Sequence, residues 1–180
     1  PPHGGYQNLM SYQMAEIVYD ATVYFCDKYI SKFSRTHDQM VQAARSGKQN
    51  IAEGSMASGT SKETEIKLIG VARASLEELL LDYKDYLRKN KLTLWGKDDP
   101  RAIQIRGLSK LKNRTFLTYK SYIENSNPEV SVNTIICLIH QTNYLLDQQI
   151  RKLEEQFIKE GGIRENMQKA RLNERKKSHE

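Results

Sequence analysis

The sequence predicts an all-α fold, and three observations carry that reading. Apolar residues recur every three or four positions through four long stretches, which is the spacing of one buried helix face. Two of these stretches meet at a Gly-rich corner, Gly54-Ser55-Met56-Ala57-Ser58-Gly59, with small residues where neighbouring helices must touch. The composition agrees: 38% of the 180 residues are hydrophobic, 28% are charged and only four are Pro, which suits a folded helical chain better than a disordered or membrane one. That length supports one domain with a real core and a smaller appendage.

Helix one is expected from roughly Leu9 to Ile30, with Met14, Val18, Ala21, Phe25 and Tyr29 along one face. Helix two starts at Thr36, whose hydroxyl can cap the free amides of the first turn, and carries Met40, Ala44, Gly47 and Ile51 on one side. A glycine inside a helix costs about 1 kcal/mol relative to Ala. Gly47 therefore predicts a neighbouring helix packed very close. The corner at 54 to 59 ends helix two, because Gly accepts the left-handed conformation common at helix C-termini. Thr60 and Glu63 then form a capping-box pattern opening helix three. This helix runs to about Arg88, with Ile69, Ala72, Leu76, Leu79, Tyr83 and Tyr86 inward and Glu78, Asp82, Lys84 and Arg88 toward water.

The segment Leu94 to Pro100 breaks that pattern, and Pro100 suits the first turn of a new helix. If the new helix continues, Arg106, Lys110 and Arg114 form one basic ridge opposite Leu108, Leu111 and Phe116. A turn follows at 124 to 129, where Asn125, Ser126, Asn127 and Pro128 cluster. The last long helix, from about Val130 to Lys159, places Ile136, Ile139, Asn143, Leu146, Ile150, Leu153 and Phe157 on a heptad seam. Asn143 is its one polar member, a device that fixes register and partner number. The apolar block around Cys137 is wider than one seam requires, so cover is expected on two sides, with the second open to another subunit. Gly161-Gly162 stops the helix and leaves a basic amphipathic tail with Ile163, Met167 and Leu172.

The expected organisation is thus a flexible N-terminus (1–8), a helical body (9–160) including a basic helical insertion at about 92–129, and a basic tail (161–180). The formal net charge of +6 is localised. Residues 1 to 99 nearly balance, and 121 to 163 carry an acidic excess of three. Arg101, Arg106, Lys110, Lys112, Arg114 and Lys120 lie in a stretch without any carboxylate, and Arg164, Lys169, Arg171, Arg175, Lys176 and Lys177 close the chain. Such clustering suits a phosphate backbone, although a solvated helix face would look the same. Tyr119 and Tyr122 near the basic stretch could stack on unpaired bases or pack in the core.

No apolar stretch approaches the ~20 residues of a membrane helix. The N-terminus has neither a basic segment nor an apolar signal core, lacks an initiator Met, and is read as a trimmed end. Cys26 and Cys137 sit far apart in apolar patterns, which fits buried, reduced thiols in a cytoplasmic protein.

Enzyme readings fail on the chemistry they need. Di-iron bundles use Glu-x-x-His pairs, and none of His3, His37, His140 or His179 has a Glu three residues earlier. Zinc ligand spacing is absent, and the Gly54 to Gly59 corner lacks the Lys-Ser/Thr of a phosphate loop. Asn50 and Glu53, a tempting polar pair, are read as structural, satisfying backbone groups at a helix end, and His37 beside Asp38 as a capping residue. His140 is read as a packing or hydrogen-bonding residue. No catalytic residue, metal or cofactor is expected.

The run Asn50-Ile51-Ala52-Glu53-Gly54, with Ser61-Lys62-Glu63 and Ala74-Ser75-Leu76-Glu77-Glu78-Leu79, resembles the family of small four-helix bundle proteins that includes those encoded in intervening sequences of bacterial 23S ribosomal RNA genes. The later run Leu138 to Asp147, with Gly161-Gly162 and the Arg-rich end, resembles its variant with a suffix region. The resemblance implies an antiparallel up-and-down four-helix bundle that assembles as a ring-like homopentamer. A relative is the accessory variability determinant of diversity-generating retroelements, which implies nucleic-acid binding and a reverse transcriptase or other protein partner. This chain departs from that relative in its insertion at 92 to 129 and its long C-terminal region.

The expected function is a non-enzymatic oligomeric scaffold that binds RNA or DNA through Arg101, Arg106, Lys110, Lys112, Arg114, Lys120, Arg171, Arg175, Lys176 and Lys177. Asn50, Glu53 and Asn143 serve oligomer or core specificity. The alternative is a protein–protein adaptor with no nucleic-acid role.

Overall fold

The three-four stripes become the interior of the molecule. The computed structural model describes residues 5–160 and 163–177, with side chains for 5–159 and 166–175, and every regular element among them is helical. After a short 3-10 turn at Gly5–Asn8 come α1 (Met10–Tyr29), α2 (Arg35–Ala57), α3 (Lys62–Lys89), α4 (Pro100–Leu108), α5 (Phe116–Ile123), α6 (Pro128–Glu160) and α7 (Ile163–Lys177). The four long helices pack in a closed cycle, α1 on α2, α2 on α3, α3 on α6 and α6 on α1, around one shared core. Met14, Val18, Ala21 and Phe25 of α1 meet Met40, Ala44 and Ile51 of α2, Leu76, Leu79 and Tyr83 of α3, and Ile136, Ile139 and Leu146 of α6, all buried.

Polar groups inside this core are few and mostly paired, as burial demands. The Tyr83 hydroxyl donates to Thr22 Oγ1 at 2.9 Å, and its ring meets Phe25 edge-on at 5.2 Å. Burial pushes the Cys26 thiol up to about 12 and the Cys137 thiol up to about 11, and both are free.

The close approach predicted at Gly47 is present: a Cβ there would lie 2.7 Å from Leu76 Cδ2. Beside it, Ser46 and Ser75 share a hydroxyl–hydroxyl bond of 2.9 Å between α2 and α3. Asn50 donates to the Ser46 carbonyl at 2.9 Å and to its hydroxyl at 3.1 Å, so it braces this contact from within the helix and does not cap its end. Glu53 is exposed.

Several boundaries differ from expectation. α2 runs through Gly54 to Ala57, because Gly54 is a second close contact, its would-be Cβ 3.2 Å from Ile69 Cδ1, and not a terminator. The N-caps fall on Ser34, which accepts from the Thr36 amide, and on Ser61, which accepts from the Thr64 amide. Thr36 and Thr60 lose these roles to neighbouring hydroxyls of equal chemistry. His37 reaches Asp27 on α1 at 3.1 Å and thus ties two helices together. α3 ends in a Schellman motif without glycine: the Leu92 amide donates to the Leu87 carbonyl at 2.9 Å, and Lys91 takes φ of 55°.

Residues 131 to 139 of α6 are all buried, nine in succession, so this helix is covered on every side. The sequence left the second cover open to another subunit. That cover comes from α4 and α5 of the same chain, which both pack on α6. Asn143 is 4% exposed, and its Nδ2 donates across to Glu77 Oε2 at 3.4 Å. Its polar partner therefore belongs to α3 of this chain. The same Glu77 accepts from Arg73 Nη1 at 2.8 Å, while Arg73 Nε donates to Asp147 at 3.0 Å. The glycine stop at 161 to 162 lies outside the described residues.

Candidate nucleic-acid interface

The basic insertion is built on a loop that α6 holds in place. Asn133 accepts from the Trp95 amide through Oδ1 and donates to the Thr93 carbonyl through Nδ2, both at 2.8 Å, and Glu129 accepts from the Thr93 amide at 2.9 Å. These bonds satisfy backbone groups that an extended, partly buried loop would otherwise strand. Asp99 caps α4, accepting from the Arg101 amide at 2.9 Å, and Pro100 occupies the first turn as expected.

α4 stops at Leu108, so the expected ridge of Arg106, Lys110 and Arg114 on one helix does not form. Residues 109 to 115 turn, with Asn113 at φ of 58°, and Thr115 with Thr118 opens α5 in a capping box. Arg114 folds back, its Nη1 donating to the carbonyls of Ser109 and Leu111, and so closes the end of α4. Arg106 Nη2 donates to the Lys97 carbonyl and pins the loop to α4. Arg101 stacks on Trp95 at 4.3 Å, pairs with Asp99 at 2.8 Å and lies 3.7 Å from Glu129. The Arg101 guanidinium holds the Asp99 carboxyl below the usual carboxylate range. Lys120 lies 3.9 Å from Glu124.

Of the ten cations expected to bind nucleic acid, Arg101 is thus neutralised locally, and Arg106 and Arg114 spend part of their donor capacity on backbone. Lys110 and Lys112 are exposed and make no ion pair with a described residue. Arg171 and Arg175 are exposed on α7, and the side chains of Lys176 and Lys177 lie outside the described residues. Tyr119 is buried, so it belongs to the core, while Tyr122 is half-buried.

Two cavities that share Arg106 and His140 open beside α4 and α6, one toward α1 and the other toward the loop. The first, about 370 Å³, exposes a mainly apolar surface and is lined by Met10 and Met14 of α1 and Tyr144 and Leu145 of α6, with Arg106, Ser109, Arg114, His140 and Gln141 also on its walls. The second, about 560 Å³, is more polar and gathers Lys84, Lys97 and Arg106, with Asp98 the one carboxylate among its walls. Arg106 and His140 line both. Burial, reinforced by the charge of Lys84, holds the His140 imidazole below its ordinary value of 6.5, so it is neutral at neutral pH.

Lys84, Lys97, His140, Tyr144 and Met10 were not among the site residues expected from sequence. Lys84 was assigned to water on a helix face, and only the fold brings it beside the loop. Among the described residues no three His, Cys, Asp or Glu side chains are grouped to hold a metal ion, and no helix is long and apolar enough to cross a membrane. Comparison with protein-family models, curated proteins and solved structures returns no match for this chain.

Proposed function

We propose that the chain is an antiparallel up-and-down four-helix bundle of α1, α2, α3 and α6 that acts as a non-enzymatic scaffold for nucleic acid. One observation carries this reading: Lys84, Lys97 and Arg106, from three separate elements, converge on one cavity with a single carboxylate, and the exposed Lys110 and Lys112 belong to the same insertion. Gathering like charges costs self-repulsion, and an anionic ligand removes that cost. Lys169, Arg171 and Arg175 of α7 are exposed as well and would add cations to such a scaffold.

The family resemblance supports self-association into a ring, as a pentamer, and a reverse transcriptase or other nucleic-acid enzyme as partner. In a ring each copy repeats the same phosphate contacts, so weak binding at one site is multiplied. A cytoplasmic setting fits the two free, buried thiols. The exposed Leu111 and Leu117 on the insertion favour a second reading, a protein adaptor.

Light scattering with and without single-stranded RNA at about 50 mM and 200 mM salt separates the two. The scaffold reading expects an oligomer whose mass rises with RNA at low salt and falls back at high salt. A monomer indifferent to RNA would eliminate it.

A further inference from the structure

We infer that the paired cavities seat one unpaired nucleotide: its base enters the apolar cavity between Tyr144 and Met10, and its phosphate rests in the neighbouring cavity on Lys84, Lys97 and Arg106. The inference deepens the nucleic-acid reading above and rests on it.

Tyr144 and Met10 are 64% and 51% exposed although both line an apolar recess, an arrangement that leaves a flat aromatic face and a polarizable side chain open to a planar guest. The recess falls within the range of small-ligand sites. A base paired in a duplex cannot enter it, which restricts the guest to a single strand or a free nucleotide. The second cavity adds Lys84 and Lys97 to the Arg106 that lines both. Its cations come from α3, the loop and α4, and the Arg106 guanidinium is oriented by its bond to the Lys97 carbonyl. Because Arg106 and His140 border both cavities, an apolar seat and a cationic seat lie side by side, as base and phosphate do in one nucleotide. An acidic peptide would satisfy the cations without explaining the apolar recess. A packing fault between helices would explain the recess without gathering cations from three elements.

The test is anisotropy of a labelled single-stranded oligoadenylate of about fifteen nucleotides, compared with the same strand made abasic throughout. The intact strand is expected to bind at least tenfold more tightly than the abasic one. Tyr144→Ala should remove about tenfold from the intact strand and nothing from the abasic strand, while Tyr144→Phe keeps the affinity. Since Tyr144 is exposed, circular dichroism should find both variants folded. Lys84→Gln and Lys97→Gln should each lower the salt slope by about one on both strands.

Adenosine monophosphate in competition distinguishes the source: displacement of the strand supports the seat as a free-nucleotide site, and failure to displace supports it as a strand site. No binding of either strand at about 50 mM salt would overturn the nucleic-acid reading, and no binding of labelled adenosine monophosphate besides would overturn this one with it. Equal binding of both strands, unchanged in Tyr144→Ala, would overturn the nucleotide seat alone.

Discussion

Gly47→Ala tests the tightest contact in the core, and its sign depends on one neighbour. The added methyl would stand 2.7 Å from Leu76 Cδ2 and 2.8 Å from Leu76 Cγ. Leu76 is fully buried, so it has no solvent side into which to retreat. Overpacking of this kind costs about 1–3 kcal/mol. Against it stands the helix preference of Ala over Gly, about 1 kcal/mol. The net expectation is a loss of about 1 kcal/mol, which lowers the melting temperature by about 2–4 °C for a chain of this size. Leu76→Ala by itself should cost about 2–5 kcal/mol. In that background the overlap is gone, and Gly47→Ala should now stabilise by about 1 kcal/mol, a coupling within the range of direct contacts. Urea unfolding followed by circular dichroism at one protein concentration reads the wild type and the three variants. If Gly47→Ala shifts stability in the same direction in both backgrounds, the α2–α3 contact does not control the site and the reasoning is refuted.

Three further outcomes follow from single features. Asn143 Oδ1 is buried with no hydrogen-bond partner, so Asn143→Leu should raise stability by about 1 kcal/mol, seen as a higher urea midpoint at unchanged m; a lower midpoint would show that the Glu77 contact outweighs the stranded oxygen. Lys91 holds φ of 55° at the end of α3, a conformation that Gly adopts freely, so Lys91→Gly should add about 0.5–1 kcal/mol, and a reduced melting temperature would contradict this. With Cys26 pushed up to about 12 and Cys137 to about 11, neither should react with a disulfide reagent at about pH 8 until urea unfolds the chain; rapid labelling of the native protein would disprove their burial.

The stripes of α1, α3 and α6 were legible because helical spacing is local, and Tyr83, Leu76 and Ile139 are buried as read. Gly47 was legible for the same reason: a costly residue in a good helix needs a neighbour to justify it. Gly54 was misread because a terminating glycine and a close-contact glycine look alike until the partner, Ile69, is known. The basic ridge was overextended since Lys110, Leu111 and Lys112 are all competent in helices, while the break is made by Asn113 and the Thr115–Thr118 box. That Thr-x-x-Thr spacing was the available signal. The meeting of Lys84 with Lys97 and Arg106 had no helical-periodicity signature, because it depends on how the segment after α3 folds back beside that helix and leads into α4.

The encasement of 131 to 139 has a consequence for biogenesis. α6 is the central post of the structure, yet it is synthesised after every helix that surrounds it. At translation rates of about 5–20 residues per second, the roughly 100 residues between α1 and α6 take about 5–20 s to emerge. Throughout that interval the greasy faces of α1, α3, α4 and α5 have no post to close on. A nascent chain that stalls before Pro128 therefore leaves uncovered, on α1, α3, α4 and α5, the apolar surface that α6 covers in the finished fold.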